Sequence, residues 1–240
     1  MFVWNNEMAR FLRDASEYSD YYTRLAEWIA PYLQPGDRVC DVGCGLGYLS
    51  MALSNYVKQI TAIDRSEIAL DMLRNHPKRA GNISCCCGDI FCDNSGQIYD
   101  AMVFSFFGKM EEIALAAKNR CRGEIFAFKK NYGNHRFTAG AYPVGDDSFD
   151  RAVDWLRRRG VPFSSETLCL EMGQPLRSRE EAYRFFALYH RGDAAEISEA
   201  FLNSRLAETG REDFPLYLPQ KREVGCLRFR AADLPPVEER

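Results

Sequence analysis

Between residues 38 and 131 the chain alternates short apolar runs with helical patterns, and this alternation restricts its fold more than any other feature. The runs RVCDVG (38–43), QITAID (59–64), ISCCCGD (83–89), YDAMVFSF (99–106) and GEIFAFKKN (123–131) each have the length of a buried strand. GYLSMALSNYV (47–57), SEIALDMLRNHP (66–77) and KMEEIALAAKNR (109–120) read as helices among them, the second ended by Pro77. Strands separated by helices of about ten residues pair in parallel through right-handed crossovers. The expected architecture is therefore α/β, with a doubly wound, mostly parallel sheet.

The flanks extend this plan. Residues 5–33 read as helix in two stretches, opened by Asn5 or Asn6 and followed by turn chemistry in QPGD (34–37). In the tail, DSFDRAVDWLRRRG (147–160) is an amphipathic helix, VPFSSETLCLEM (161–172) a strand, and SREEAYRFFALY (178–189) a helix opened by Ser178 and Glu181 in capping-box spacing. AAEISEAFLNSRLAET (194–209) reads as a further helix and EVGCLRFRA (223–231) as the last strand.

Composition narrows the partners. With 46% hydrophobic residues, 240 residues can build the core of one large domain, and no apolar run approaches the roughly eighteen residues of a membrane span. The opening MFVWNNEMARFLRDAS has no basic region leading into an apolar one, so the expected location is cytoplasmic. A net charge of -3 argues against nucleic acid as a partner. The nine cysteines are expected to be reduced thiols, since an odd number cannot pair completely. Cys85, Cys86 and Cys87 would alternate between the two faces of a strand, so they cannot converge on one ion, and they are expected to serve as small buried hydrophobes. No metal site is expected.

The turn between the first strand and the first crossover helix carries Gly43, Gly45 and Gly47. Such a turn presents backbone N–H groups and a helix N-terminus to a ligand. A phosphate-binding G-x-x-x-x-G-K pattern is absent, and the dinucleotide fingerprint would place its third glycine at 48, which is Tyr48. The pattern that fits is D-x-G-x-G-x-G from Asp41, and it resembles motif I of the class I S-adenosylmethionine-dependent methyltransferases. Asp64 at the end of the second strand, Asp89 in CGDIF and YDAMVFSFF at the fourth strand resemble that family's further motifs in the right order.

The resemblance implies a seven-stranded sheet of order 3-2-1-4-5-7-6 with the last strand antiparallel, helices on both faces, an N-terminal helical lid over 1–35 and a methyltransferase domain over 36–240. It implies S-adenosyl-L-methionine as cofactor, its methionine end cradled by Asp41, Gly43, Cys44, Gly45 and Gly47. Asp64, with Arg65 beside it, would take the ribose hydroxyls. Asp89 would take the adenine amino group, and Ile90 with Phe91 would wall the adenine face. Ser105 would lie next to the sulfonium, and Tyr22 would reach the cofactor from the lid. The implied activity is in-line methyl transfer to a small-molecule acceptor, in which the protein mainly aligns donor and acceptor and removes water.

Evidence on the acceptor is sparser. After the fourth strand the chain reads SFFG (105–108) where enzymes acting on amino groups of bases or glutamine carry a proline pair. One of Phe106 and Phe107 is expected to face inward and the other toward the site. KKNYGNHRF (129–137) follows the fifth strand, where doubly wound folds bind ligands, so Lys129, Lys130, Tyr132, His135 and Arg136 are expected near the mouth. His135 is the candidate general base and Tyr132 an orienting hydroxyl. Lys130 or Arg136 would meet an anionic group. Of Trp4, Tyr18, Tyr21 and Tyr22, most are expected to glue the leading helices onto the sheet. An RNA or protein acceptor, with Arg157, Arg158 and Arg159 as its support, and a non-catalytic cofactor-binding subunit remain as alternatives. A nicotinamide oxidoreductase is disfavoured by Tyr48. The oligomeric state stays open.

Overall fold

The computed structural model describes residues 4–92, 96–133, 137–138 and 147–235. Two helices lead, α1 (Asn6–Tyr18) and α2 (Tyr21–Ile29). The alternating part follows as β1 (Arg38–Val42), α3 (Tyr48–Leu53), β2 (Gln59–Asp64), α4 (Glu67–Arg74), β3 (Ile83–Cys87), β4 (Tyr99–Ser105), α5 (Met110–Arg120) and β5 (Cys121–Lys130). The tail comprises α6 (Phe149–Arg158), β6 (Phe163–Glu171), β7 (Gln174–Leu176), α7 (Arg179–Tyr189), α8 (Glu199–Arg205), β8 (Ala207–Glu208), β9 (Leu216–Leu218) and β10 (Lys221–Arg230).

Seven strands form one sheet in the order β3-β2-β1-β4-β5-β10-β6. The first five pair in parallel, and β10 runs antiparallel to both β5 and β6. Counting only the strands of this sheet, that is the expected order 3-2-1-4-5-7-6. The inner strands β1, β2, β4 and β5 are largely apolar and buried because both their faces are covered. Ile125 and Ala127 of β5 join Val42, Met102 and Phe104 under α5 and α6. Phe126 and Phe128 point the other way, into a core with Leu25, Ile29, Leu49 and Leu53 of α2 and α3.

Caps start the helices where the sequence places them. The Asn5 side chain accepts the Met8 N–H at 2.8 Å, and Ser66, Ser148, Ser178 and Ser198 each accept an N–H of the helix that follows them. Such a cap is worth about 1 kcal/mol. The Ser198 cap also corrects an expectation. Instead of one helix over 194–209 there is a 3-10 turn at Ala194–Glu196, then α8, then β8. The Glu181 carboxylate does not close a capping box either; it accepts the Arg177 N–H at 2.5 Å.

A second, three-stranded sheet of order β7-β9-β8 was not expected. Strands of two or three residues are too short to display a periodicity. With α7 and α8 this sheet encloses a satellite core of Leu176, Phe185, Phe186, Leu202 and Leu218, which also takes Phe11 of α1. Beside it the buried carboxylates of Asp14 and Glu181 share Arg177, whose guanidinium lies 2.7 Å and 3.2 Å from them, and Arg10 also pairs with Glu181. The leading helix is thereby tied to α7.

The expectation of buried cysteines fails at β3. This strand is the edge of the sheet, and Cys86 and Cys87 are exposed while Cys85 is half-buried. Among the described residues no three His, Cys, Asp or Glu side chains are grouped to hold a metal ion, and no helix is long and apolar enough to cross a membrane.

Candidate functional site

In a doubly wound sheet the crevice opens beyond the carboxyl ends of the strands, where the order reverses between β1 and β4. A cavity of about 920 Å³ lies at that place, within the range of small-molecule sites. Its walls come from the loop after β1, the ends of β2 to β5, and side chains from the leading helices and from β10.

The loop after β1 requires its glycines. Gly43, Gly45 and Gly47 have φ of 70°, 53° and 73°, the left-handed region. A Cβ at Gly43 would sit 2.5 Å from the Phe107 ring, and one at Gly47 2.4 Å from a methyl of Leu73. The Gly43 and Cys44 N–H groups donate to the Ile63 carbonyl at 2.8 and 3.0 Å, which fastens the loop to β2. The Gly45 N–H donates to Asp64 Oδ2 and the Ser66 N–H to Asp64 Oδ1, both at 2.8 Å. Each oxygen of Asp64 thus has one donor and retains capacity for another from the cavity.

Asp41 lies one residue before the end of β1, only 1% exposed. Its Oδ2 accepts the Ser50 hydroxyl at 2.6 Å, whereas its Oδ1 is buried with no partner among the described residues. Burial pushes its pKa up to about 6, against the Ser50 hydrogen bond that favours the charged form, and the Asp64 charge raises it further. A buried carboxylate oxygen lacking a donor calls for a cationic or N–H group from a ligand.

Asp89 accepts the Phe91 N–H at 3.0 Å and pairs with Arg65, a partner that the sequence did not reveal. Both residues line the cavity, as do Ile90, Phe91 and Ser105. The Phe91 and Phe107 rings are nearly parallel (12°), 6.3 Å apart. Phe106 holds a left-handed φ of 54°, rare outside glycine, and its N–H donates to the Phe128 carbonyl. That geometry brings both Phe106 and Phe107 to the cavity wall, where only one was expected.

From the leading helices Tyr22 lines the cavity, stacked on Tyr48 at 5.7 Å, together with Leu12 and, ahead of α1, Trp4. Tyr21 is core, and Tyr18 stacks on Tyr217 at 5.1 Å. After β5, Lys130 and Tyr132 line the cavity. Lys129 does not, because strand alternation turns it to the opposite face. It is fully buried, its Nζ donating to Asp147 Oδ1 at 2.5 Å and to the Gly108 carbonyl. Burial lowers its pKa below the ordinary lysine value, opposed by Asp147. His135 and Arg136 lie outside the described residues.

Sequence reasoning missed Arg222, which lines the cavity. Because β10 is antiparallel, its first residues stand at the same end of the sheet as the last residues of β5; Val224 pairs with Lys130. The expected strand began at Glu223, one residue too late to include it. The only signal available was the register of the last strand.

Residues 39–133 match the family described as a methyltransferase domain. The ubiquinone biosynthesis O-methyltransferase of Coxiella burnetii is 43% identical over 56 residues, 23% of this chain and 24% of that protein. The chain therefore spans about a quarter of the length of the curated relatives it matches. Among solved structures, the YcgJ protein of Bacillus subtilis superposes with a TM-score of 0.54 at 11% identity, over 88% of this chain and 98% of that one. Precorrin-6y C5,15-methyltransferase of Geobacter metallireducens superposes with a TM-score of 0.51 at 16% identity, over 86% and 88%. At such identities the likeness is one of fold.

Proposed function

We infer that this chain, by fold and by its matched segment a class I methyltransferase of unidentified subfamily, binds S-adenosyl-L-methionine and methylates a small-molecule acceptor. The observation that carries this reading is the pairing of a glycine cradle with a buried carboxylate oxygen that lacks a donor. The three left-handed glycines let the backbone make this turn beside the cavity, where side chains at Gly43 and Gly47 would collide with Phe107 and Leu73. Asp41 Oδ1 awaits a donor at the base of that cradle. These features fit the methionine end of the cofactor, with its ammonium group, held by Asp41, Gly43, Cys44, Gly45 and Gly47.

In the same reading Asp64 takes the ribose hydroxyls on its remaining lone pairs, and Arg65 supports that wall through its pairing with Asp89. Asp89 and Ile90 face the adenine, and Tyr22 and Ser105 flank the cofactor. When bound, the cofactor supplies an electrophilic methyl group on a sulfonium. The chain's own part is alignment and exclusion of water, for which Phe106 and Phe107 form an apolar wall and residues 1–35 a lid over the 36–240 domain. Tyr132 orients the acceptor, and His135 removes its proton where the acceptor has one to lose.

Calorimetric titration with S-adenosylmethionine, S-adenosylhomocysteine and NAD tests the reading. Both adenosyl compounds are expected to bind, and Asp64→Ala to weaken them at least tenfold, about 1.4 kcal/mol. Binding of NAD alone would overturn the proposal.

A further inference from the structure

Resting on that reading of the main cavity, we propose that the acceptor is an aromatic carboxylate, its ring seated in a side pocket behind the cavity and its carboxylate held by Arg222. The side pocket has a volume of about 160 Å³ and shares Trp4, Leu12 and Arg222 with the main cavity, so the two adjoin. A dry cavity of about 150 Å³ lined by apolar side chains accommodates benzene. The side pocket therefore has room for one aromatic ring.

Its lining suits a ring. Phe137, Phe185 and Tyr189 form a mutually packed aromatic set there, with Phe137 and Phe185 4.8 Å apart at 74° and Phe185 and Tyr189 5.0 Å apart at 53°. Edge-to-face and tilted arrangements of this kind extend readily to a further ring. The set belongs to the satellite core around α7, so these residues are placed by the part of the fold that lies outside the matched segment 39–133.

Arg222 supplies the polar end. Its guanidinium carbon lies 5.2 Å above the Tyr21 ring, which orients it, while its Nε is buried and has no hydrogen-bond partner among the described residues. No carboxylate of the described residues pairs with it or with Lys130, the second cation on this side. A guanidinium presents a planar fork of N–H donors that matches a carboxylate in two parallel hydrogen bonds.

The cavity also carries Glu67, Glu112 and Arg65, the last paired with Asp89, so the sheet order separates its charges only in part. The acids Asp41, Asp64 and Asp89 stand on or just beyond β1, β2 and β3, whereas Lys130 and Arg222 stand on β5 and β10, beyond the switch point. Lys130 and Arg222, the cations that no carboxylate of the described residues pairs with, stand together on the second side, where they favour an anionic ligand.

The test compares benzoate, benzyl alcohol and acetate by ligand-observed nuclear magnetic resonance on the full chain, with and without S-adenosylhomocysteine. Benzoate is expected to bind at least tenfold more tightly than either of the others. Arg222→Met is expected to abolish that preference while leaving the homocysteine compound's affinity within twofold. Equal binding of benzoate and benzyl alcohol to the wild-type protein would overturn the proposal, a comparison that needs no variant to fold. Benzoate unaffected by Arg222→Met would overturn it as well. Failure of S-adenosylhomocysteine to bind would refute the cofactor reading, and the benzoate preference measured without it would still decide whether this pocket takes an aromatic acid.

Discussion

Asp41→Asn should make the ligand-free protein more stable at alkaline pH than the wild type, and by a margin that depends on pH in a calculable way. The Asp41 carboxyl is buried, with a pKa of about 6 in the folded chain against 3.8 when exposed. A folded-state pKa raised above the unfolded one means stability that is fully present below about pH 4 and lost as pH rises through about 6. The difference of about two units corresponds to ~3 kcal/mol at pH 8, and by the same linkage to ~1 kcal/mol at pH 4.5. Asparagine has the same shape, carries no charge at any of these pH values, and its carbonyl can still accept the Ser50 hydroxyl. Its amide replaces the partnerless Oδ1, so a buried donor offsets part of the gain by ~1–3 kcal/mol, independent of pH. The slope is therefore the observable. Urea denaturation midpoints of both proteins without cofactor should diverge by ~2 kcal/mol in the variant's favour between pH 4.5 and pH 8. That is ~4–8 °C in melting temperature for a chain of this size. Carboxylates remote from Asp41 contribute alike to both proteins and cancel in the comparison. A stability difference that stays constant across this range would refute the assignment of the buried charge. The same variant should bind S-adenosylmethionine more weakly, because the charge that costs stability is the one proposed to meet the ammonium group.

Three further outcomes follow from the same structure. Gly47→Ala forces a side chain into φ of 73° with a Leu73 methyl 2.4 Å away, and Leu73 is fully buried. It should lose at least ~2 kcal/mol in urea denaturation, whereas Gly36→Ala, with nothing within 4 Å, should be near neutral. Arg177→Met removes a donor shared by the buried Asp14 and Glu181 carboxylates. Since Arg177 is partly exposed and Arg10 still serves Glu181, the expected loss is ~1–2 kcal/mol, checked by denaturation. Brief alkylation followed by peptide mass spectrometry should modify the exposed Cys86 rapidly, along with the exposed Cys92 and Cys169. Cys87 should lag, because a hydrogen bond to Glu67 raises its thiol pKa. The buried Cys40 and Cys226 should react only on unfolding, and equal labelling of Cys40 and Cys86 would contradict the strand assignments.

The sequence by itself determined the sheet and the cradle. Alternation of apolar runs with helices specifies parallel pairing, because each crossover helix needs a face of the sheet to bury against. Asp41, Asp64 and Asp89 were legible because each sits at a fixed place relative to a strand end, and a strand end is a local event. Gly43, Gly45 and Gly47 were legible because glycine takes the left-handed conformation without the steric cost that a side chain brings. Side-chain facing was only partly legible. Lys129 and Lys130 are neighbours, yet strand alternation buries the first against Asp147 and turns the second to the cavity. The cysteines of β3 were misjudged as buried although the expected sheet order already put their strand at the edge, where Cys86 and Cys87 stand exposed.

Only the tertiary structure decided which residues wall the side proposed for the acceptor. Arg222 reaches the cavity because an antiparallel strand returns its first residues to the end of the sheet where the parallel strands finish. Phe185 and Tyr189 are neighbours four residues apart on α7, but Phe137 meets them, and Phe11 meets Phe185, only across long stretches of the chain. These contacts join residues far apart in the chain, and no local pattern encodes them. The glycine turn is fixed by residues adjacent in the chain, whereas the wall proposed for the acceptor joins Arg222 and Phe137 to α7 through long-range packing.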